Sequence, residues 1–275
     1  MSYTAIERAT LRHRRWLISY ENAAAREAVA AYTNKAGPIL KRLQRYEAQI
    51  SEGRPLSARQ ALQARRDRAR LRRLLREARD DIRDSLQGRL QGAARTELRV
   101  SVRNLSAGLP DGVTGRAPGV DLRTLILNPT AGRPWNSRVD ASLLPVYQRI
   151  DAALAVAIDR GASMPNTARL LQAAIGAAES EKFKLIRIAR TEIQRVSNEA
   201  AQATYKENRD VIRAVRYLAT LDSRVCDVCR PYHRRVFELD SAGEHDGPYI
   251  PQHPNCRCFY APVTRSIAEI LAARD

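Results

Sequence analysis

Apolar residues in the first hundred positions recur every three or four residues, which is the period of an amphipathic α-helix. One stripe begins near Ile6, and a second ends near Leu86. We expect Gly37 and Pro38 to interrupt the first stripe, because proline removes a backbone donor and clashes with the preceding turn. The pattern therefore predicts two long helical arms, the first of them broken.

A turn separates these two arms. Residues 51–55 include glycine and proline, which end helices, and Ser57 is a suitable N-cap for the second arm. Since short connections join antiparallel helices, residues 1–100 are predicted to form a helical hairpin.

Residues 101–140 contain many glycines and prolines and show no helical or strand period, so they predict a linker or extended arm. The segment Val120–Leu127 is too apolar for a simple spacer. Its composition suggests docking, either onto the chain's own body or onto a neighbouring subunit.

Residues 141–275 are predicted to form a compact domain. A first helix ends near Gly161, a short one opens at Ser163, and a third runs from about residue 180 to residue 205. Alternation over residues 211–218 then predicts a strand, with short strands near Val236 and Cys258 and a final helix from Ser266. The predicted fold class is α+β and mainly helical, with a small antiparallel sheet that zinc would stabilise.

The chain is strongly basic, with a net charge of +17 and a pI near 10.4, which favours a polyanionic partner. Within residues 1–100, 23 basic residues face 11 acidic ones. The second arm is richest in arginine, but its arginines surround the helix, so a sequence-reading face is not expected. Three interpretations of these arginines stay open: a solvated helix, contact with the DNA backbone, and contact with an acidic protein ring. The candidate nucleic-acid-binding residues are Arg65, Arg66, Arg72 and Arg73.

Targeting signals are not evident in the sequence. No uncharged run of membrane-spanning length occurs, so no membrane span is predicted. The first residues lack the apolar centre of a secretory signal. We therefore expect synthesis in the cytoplasm.

All four cysteines lie between residues 226 and 258, where they form the motifs Cys226-x-x-Cys229 and His253-Pro-Asn-Cys256-Arg-Cys258. Cysteine thiolates and histidine nitrogens at close spacing are the ligands that tetrahedral zinc prefers. The spacing favours a structural zinc bound by Cys226, Cys229 and two among His253, Cys256 and Cys258.

Other interpretations of this group of cysteines and histidine stay open. Disulfides would require an oxidising compartment, and free thiols could simply pack in a core. A redox CxxC would need a surrounding βαβ unit, and a catalytic zinc would need an open coordination position with a nearby base. His233 and His245 are both interpreted as surface residues, with His245 kept as a reserve ligand.

The residues around the cluster resemble the Mu F-like minor head proteins, the phage head morphogenesis family. The resemblance rests on three motifs in order: Arg190-Thr-Glu192 on a helix, Asp222-x-Arg224-x-Cys226-x-x-Cys229, and the closing HPxCRC run. It is specific over about residues 180–263, extends plausibly back to about residue 135 and does not cover the first hundred residues.

Two positions depart from the family pattern. Arg234 and Arg235 stand where members often have glycine, and Tyr217 stands where tryptophan is expected. Neither departure is expected to touch a ligand of the metal. The resemblance implies that Arg190 and Glu192 form hydrogen bonds to the cysteine-bearing turns and support the metal ligands from outside.

The resemblance also implies a role in a tailed phage or related particle. A member would associate with the portal protein, enter the procapsid in few copies, and influence packaged or ejected DNA. The major capsid or scaffolding protein and double-stranded DNA are further expected partners. The expected location is the host cytoplasm during assembly, then the virion, inside the head near the portal vertex.

An enzyme is not expected, because the sequence contains no nucleophile elbow, phosphate-binding loop, HExxH motif or paired carboxylates. The alternative function is a zinc-stabilised, non-specific nucleic-acid-binding protein that works outside any particle. The predicted organisation is a basic hairpin at residues 1–100, a linker at 101–140 and a Mu F-like domain at 141–275.

Overall fold

The computed structural model describes residues 4–128, 132–159, 162–222 and 225–273. Its fold is mainly helical with a small antiparallel sheet near the C-terminus, so the predicted fold class is confirmed. In chain order the elements are α1 (Ala5–Ser51), α2 (Ala58–Ser106), α3 (Leu122–Leu127), α4 (Trp135–Ile158), α5 (Met164–Glu207), β1 (Ile212–Leu218), β2 (Val236–Glu238), β3 (Phe259–Thr264) and α6 (Ile267–Ala272).

The predicted break in the first arm is wrong, because α1 runs without interruption through Pro38. Ile39, Leu40 and Leu43 are buried on the far side of the proline, and Ala36 is buried just before it. Tertiary packing of this apolar face outweighs the local cost of proline, which is about 3 kcal/mol in a helix interior.

The N-cap predicted at Ser57 is confirmed. The Gln60 amide donates to Ser57 Oγ at 3.3 Å, and the Ser57 amide donates to Gln60 Oε1 at 2.8 Å. This reciprocal pair satisfies two amides that have no partner within the helix, and it fixes where α2 begins.

The two helices predicted over residues 163–205 are one continuous helix, α5. Leu171, Ala174, Ala178 and Leu185 are buried along it, so the apolar face crosses Gly176 without a change of period. The helix end predicted near Gly161 lies outside the described residues; α4 ends at Ile158.

By internal contacts, the chain divides into two compact units. Unit 1 comprises Met1–Ala23, Gln87–Thr130 and Arg190–Asp275, and unit 2 comprises Ala24–Leu86 and Ala131–Ala189. Helices α1, α2 and α5 each contribute residues to both units. The three consecutive domains expected from composition stay a prediction.

Unit 2 contains the turn end of the hairpin. Arg42 forms a two-pronged ion pair with Asp67 at 2.6 and 2.7 Å, and Lys35 lies 3.4 Å from Glu77. Lys35 precedes Arg42 on α1, whereas its partner Glu77 follows Asp67 on α2. The paired parts of the two arms therefore run antiparallel, as predicted.

Among the described helices, α4 is long and apolar enough to cross a membrane, judged by length and composition alone. Trp135, Leu143, Ile150 and Leu154 are all buried within its unit. A buried apolar face is also what a core helix of a globular protein requires, so composition alone is weak evidence for a span.

Unit 1 contains the sheet, in which β1 is central and pairs antiparallel with β2 and β3. Tyr217 on β1 and Tyr260 on β3 are cross-strand partners, and their rings meet edge to face. Together with Tyr205 and Cys229 they belong to the hydrophobic core of the unit.

The residues between β1 and β2 include Arg234, whose backbone lies in the left-handed region with φ of 68°. Its amide donates to the Tyr217 carbonyl at 2.8 Å, which begins the pairing of the two strands. Side chains other than glycine strain this conformation, so a glycine here, as the family pattern favours, would relieve the backbone.

The apolar segment Val120–Leu127 docks onto its own chain, which was one of the two alternatives. Asp121 caps α3, and Ile126 is buried. Arg195 of α5 is fully buried and donates to the carbonyls of Leu125 at 2.9 Å and Ile126 at 2.8 Å. This segment is therefore part of unit 1.

Replacing Arg195 with methionine should destabilise unit 1 by about 3–5 kcal/mol, because Glu192 and Glu199 would lose a buried cationic partner. Urea unfolding measures the loss, and hydrogen exchange should show faster exchange at residues 122–128. The control is Arg213→Ala, which removes an exposed ion pair with Glu238 and should cost at most about 1 kcal/mol. Equal losses in both variants would contradict the role given to Arg195.

Candidate metal centre

The first pair of cysteines lies on a tight turn that follows β1. The Cys229 amide donates to the Cys226 carbonyl at 3.2 Å and lies 3.3 Å from Cys226 Sγ. The Arg230 amide donates to the same carbonyl at 3.0 Å. An amide directed at a sulfur stabilises the thiolate form that binds metals.

The second donor group lies on a turn from His253 to Cys258, directly before β3. The Cys256 amide donates to the His253 carbonyl at 3.1 Å, and Asn255 has φ of 60°. Asparagine tolerates this left-handed backbone better than most residues, which explains the Pro-Asn-Cys sequence at this bend.

The donor atoms from both turns converge. His253 Nε2 lies 3.1 Å from Cys226 Sγ and 3.3 Å from Cys229 Sγ, and Cys229 Sγ lies 3.9 Å from Cys256 Sγ. The donors form two overlapping groups, Cys226–Cys229–His253 and Cys229–Cys256–Cys258, that share Cys229. These groups could hold a metal ion.

The donor set fits zinc in two respects. A tetrahedral site with Zn–S bonds of about 2.3 Å separates its sulfurs by about 3.8 Å, close to the 3.9 Å between Cys229 and Cys256. In addition, His253 Nδ1 lies 2.9 Å from the Pro254 carbonyl. A proton on Nδ1 would be donated to that carbonyl, which leaves Nε2 free to face the sulfurs as a ligand.

The electrostatics of the cluster also favour a cation. Burial lowers the pKa of His253, but its bond to the Pro254 carbonyl and the nearby Cys256 and Cys226 raise it, and the net pKa is above the ordinary value. The hydrogen bond from Cys258, aided by backbone amides, lowers the pKa of Cys256 to about 5. Burial, by contrast, raises the pKa of Cys229 to about 11 and so favours its neutral thiol in the absence of a metal.

All four cysteines are free thiols, and three of them are buried in the core of unit 1. The described structure therefore shows no disulfide among them. A buried cluster of sulfurs that approach one another this closely gains most from a bound cation, because neighbouring thiolates repel one another.

Arg190 and Glu192, the predicted supports, each have a partner among the described residues. Arg190 donates to Asn22 Oδ1 at 2.8 Å, and Glu192 accepts from Arg195 Nε at 2.8 Å. Thr191, the residue between them, makes the bond from this helix to the histidine-bearing turn: its Oγ1 accepts from the Asn255 amide at 3.0 Å. A role for Arg190 and Glu192 in supporting the ligands stays a prediction.

Two further side chains of α5, Gln194 and Asn198, hold the end of the same turn. Gln194 Nε2 donates to the Cys258 carbonyl, and Asn198 Nδ2 lies 3.4 Å from it. Both residues are buried polar groups one helical turn apart. Their polarity on a buried helix face was the sequence signal that could have identified them.

An ion pair joins the two motif loops. Arg257 of the HPxCRC motif donates from Nη1 and Nη2 to the two carboxylate oxygens of Asp222, at 2.5 and 2.6 Å. Thr220 Oγ1 donates to the Arg257 carbonyl at 2.9 Å. Arg224, the other charged residue of the motif, lies outside the described residues. The family motif thus contains both partners of a bond that brings its loops together.

Tyr217 lies near the cluster, and the expectation that it touches no ligand stays a prediction. Burial, followed by the neighbouring Cys229 and Cys258, raises the pKa of Tyr217. Gln252 Nε2 donates to the Tyr217 hydroxyl at 2.8 Å. Tyr217 is buried on the central strand, and the same Gln252 nitrogen also lies 3.8 Å from Cys229 Sγ.

The two remaining histidines of this region lie outside both donor groups. His233 Nδ1 accepts from the Ala219 amide at 3.2 Å, and burial lowers the pKa of His233. His245 packs against the rings of Phe237 and Tyr260, and burial lowers its pKa as well. Both act here as structural side chains of their loops.

The candidate nucleic-acid-binding residues Arg65, Arg66, Arg72 and Arg73 are exposed on α2 within unit 2. Arg73 lies 3.6 Å from Glu77. Within the described part of the chain, Arg65, Arg66 and Arg72 form no ion pair.

Comparison with protein families gives one match, between residues 148–261 and the family described as Phage Mu protein F like protein. Comparisons with curated proteins and with solved structures gave no match. The matched region contains both donor turns, strands β1 and β2 and the first half of β3, and it agrees with the motifs that carry the resemblance. It indicates a phage head morphogenesis protein, and hence a virion component. The match over residues 148–261 therefore supports the Mu F-like family for this part of the chain.

Proposed function

We propose that this protein is a minor head protein of a tailed phage or related particle that associates with the portal and acts in head assembly and in the handling or ejection of packaged DNA. The family match over residues 148–261 carries this proposal. The protein acts by binding rather than by catalysis. It works in the host cytoplasm during assembly and then inside the head near the portal vertex.

The metal centre has a structural role in this proposal, with zinc as the ion. Cys226, Cys229, His253 and Cys256 are the four ligands, supported by the separations of 3.1, 3.3 and 3.9 Å among them. Cys258 stays a thiol that donates to Cys256, in keeping with the opposite directions of their pKa shifts. Four protein ligands close a tetrahedral shell and leave no position for a reacting water.

Purified under reducing conditions, the protein should contain about one zinc per chain. Cys226→Ser should abolish metal binding and unfold the region around the sheet, because the free energy of metal binding, about 10–16 kcal/mol in small zinc modules, is then folding free energy. Elemental analysis measures the metal, and near-ultraviolet circular dichroism reports the packing of Tyr217 and Tyr260.

Cys258→Ser is the matched control, since a serine hydroxyl can still donate to the Cys256 sulfur. It should retain the zinc. Loss of metal in Cys258→Ser together with retention in His253→Ala would show that the four cysteines are the ligands instead. Metal-free wild-type protein with paired sulfurs would contradict the whole assignment.

Portal association predicts a complex on coexpression with the portal protein of the same genome. Co-purification followed by size-exclusion chromatography with light scattering measures it. The portal of an unrelated phage serves as control and should not be retained. If the full chain captures neither portal, the particle role rests on family membership alone.

Contact with DNA is the second function that a specific observation favours, because Arg65, Arg66 and Arg72 are exposed without ion pairs among the described residues. The same observation supports the alternative function, a zinc-stabilised non-specific nucleic-acid-binding protein outside any particle. Co-purification separates the two: nucleic acid with the portal supports the first, and nucleic acid alone supports the second.

If α2 binds DNA through phosphates, affinity should be similar for unrelated sequences and should fall steeply with salt. Reversing Arg65, Arg66, Arg72 and Arg73 to glutamate should weaken binding and flatten the salt dependence. Fluorescence anisotropy with two duplexes of different sequence measures both effects. Absence of binding at low salt, or binding that ignores salt, would leave these arginines as solvated side chains.

A further inference from the structure

Unit 2 contains a groove of about 820 Å³ between α2 and α4. Its floor is apolar and includes Leu71, Leu75 and Tyr147. Leu144 also lines it and is 50% exposed, which is a large exposed fraction for a leucine. We call this feature, lined by these four residues and by the arginines described next, the α2–α4 groove.

The rim of the α2–α4 groove is basic. Arg65, Arg68 and Arg72 line it, and all three side chains are exposed. Arg68 forms an exposed ion pair with Asp151, which also lines the groove, at 2.8 and 3.2 Å. Arg65 and Arg72 form no ion pair within the described residues. They stand seven positions apart, two turns of one helix face, so both guanidinium groups border the same groove.

We propose that the α2–α4 groove binds an acidic amphipathic helix of a partner protein. A helix placed between two others offers apolar side chains at every third or fourth position, which can fill a floor like that around Leu144. Its flanking carboxylates would meet the guanidinium forks of Arg65 and Arg72, which bind carboxylates in a two-pronged geometry.

The basic rim of the α2–α4 groove would suit DNA equally well, but its apolar floor would not. A phosphate backbone uses cations and leaves an apolar floor unfilled, so a DNA ligand would gain nothing from Leu144, Leu75 and Tyr147. The combination of an apolar floor and a basic rim matches an acidic protein helix better. This inference does not depend on the particle role proposed above and specifies a partner chemistry that family membership leaves open.

The arginines of α2 provide a matched comparison. Arg65 and Arg72 line the groove, whereas Arg66 and Arg73 are exposed on the same helix but do not line it. The double variants Arg65→Glu/Arg72→Glu and Arg66→Glu/Arg73→Glu therefore change the net charge equally. A third variant, Leu144→Asp, changes the floor.

The probe is a fluorescent peptide of about 18 residues, five helical turns, with leucine at spacings of three and four and glutamate and alanine elsewhere. Two control peptides have the leucines shuffled and the glutamates replaced by lysine. A DNA duplex is titrated in parallel against the full chain and each variant. Circular dichroism confirms that each variant is folded; if the glutamate pair loses helix, glutamine replaces it.

The peptide should bind the full chain, and binding should weaken about tenfold or more in Arg65→Glu/Arg72→Glu and in Leu144→Asp. The affinity of the peptide should change little in Arg66→Glu/Arg73→Glu, and neither control peptide should bind. Equal loss in both arginine pairs, equal binding of the shuffled peptide, or tolerance of Leu144→Asp would overturn the proposal. So would DNA binding that depends on Leu144, or a dimer of this chain that Arg65→Glu/Arg72→Glu dissociates.

Discussion

The buried backbone of irregular loops needs hydrogen-bond partners, and unit 1 meets this requirement with one polar face of α5. Thr191, Gln194, Arg195 and Asn198 are buried on that face at the spacing of neighbouring helical turns. They bond the amide of Asn255 and the carbonyls of Cys258, Leu125 and Ile126. The helix thereby orders segments that have little regular structure of their own.

This polar face explains how the metal donors come together without a large sheet. The turn that contains His253 and Cys256 is held from α5, while the turn that contains Cys226 and Cys229 is fixed by its own amides. Gln252 connects the central strand to the cluster, since its Nε2 lies 2.8 Å from the Tyr217 hydroxyl and 3.8 Å from Cys229 Sγ. A site whose parts are positioned independently loses less conformational entropy when an ion binds.

The sequence predicted the elements whose signals are local. Ser57 and Ser266 marked helix starts correctly, and alternation marked β1, because capping and strand periodicity depend on adjacent residues. It failed where packing overrides local preference, as at Pro38 and in the unbroken α5. The five donors were identifiable from spacing, whereas Thr191 and Tyr217 were not, because their contacts depend on tertiary geometry.

The interleaving of distant segments in unit 1 has a consequence for biosynthesis. Glu7 is buried and pairs with Arg216, a residue 209 positions later that leaves the ribosome long after it. The first turns of α1 therefore keep an apolar face exposed until the ribosome has synthesised the chain as far as Arg216. Contacts of such high sequence separation slow folding and lengthen exposure to aggregation, so nascent chains should depend on chaperones during this interval.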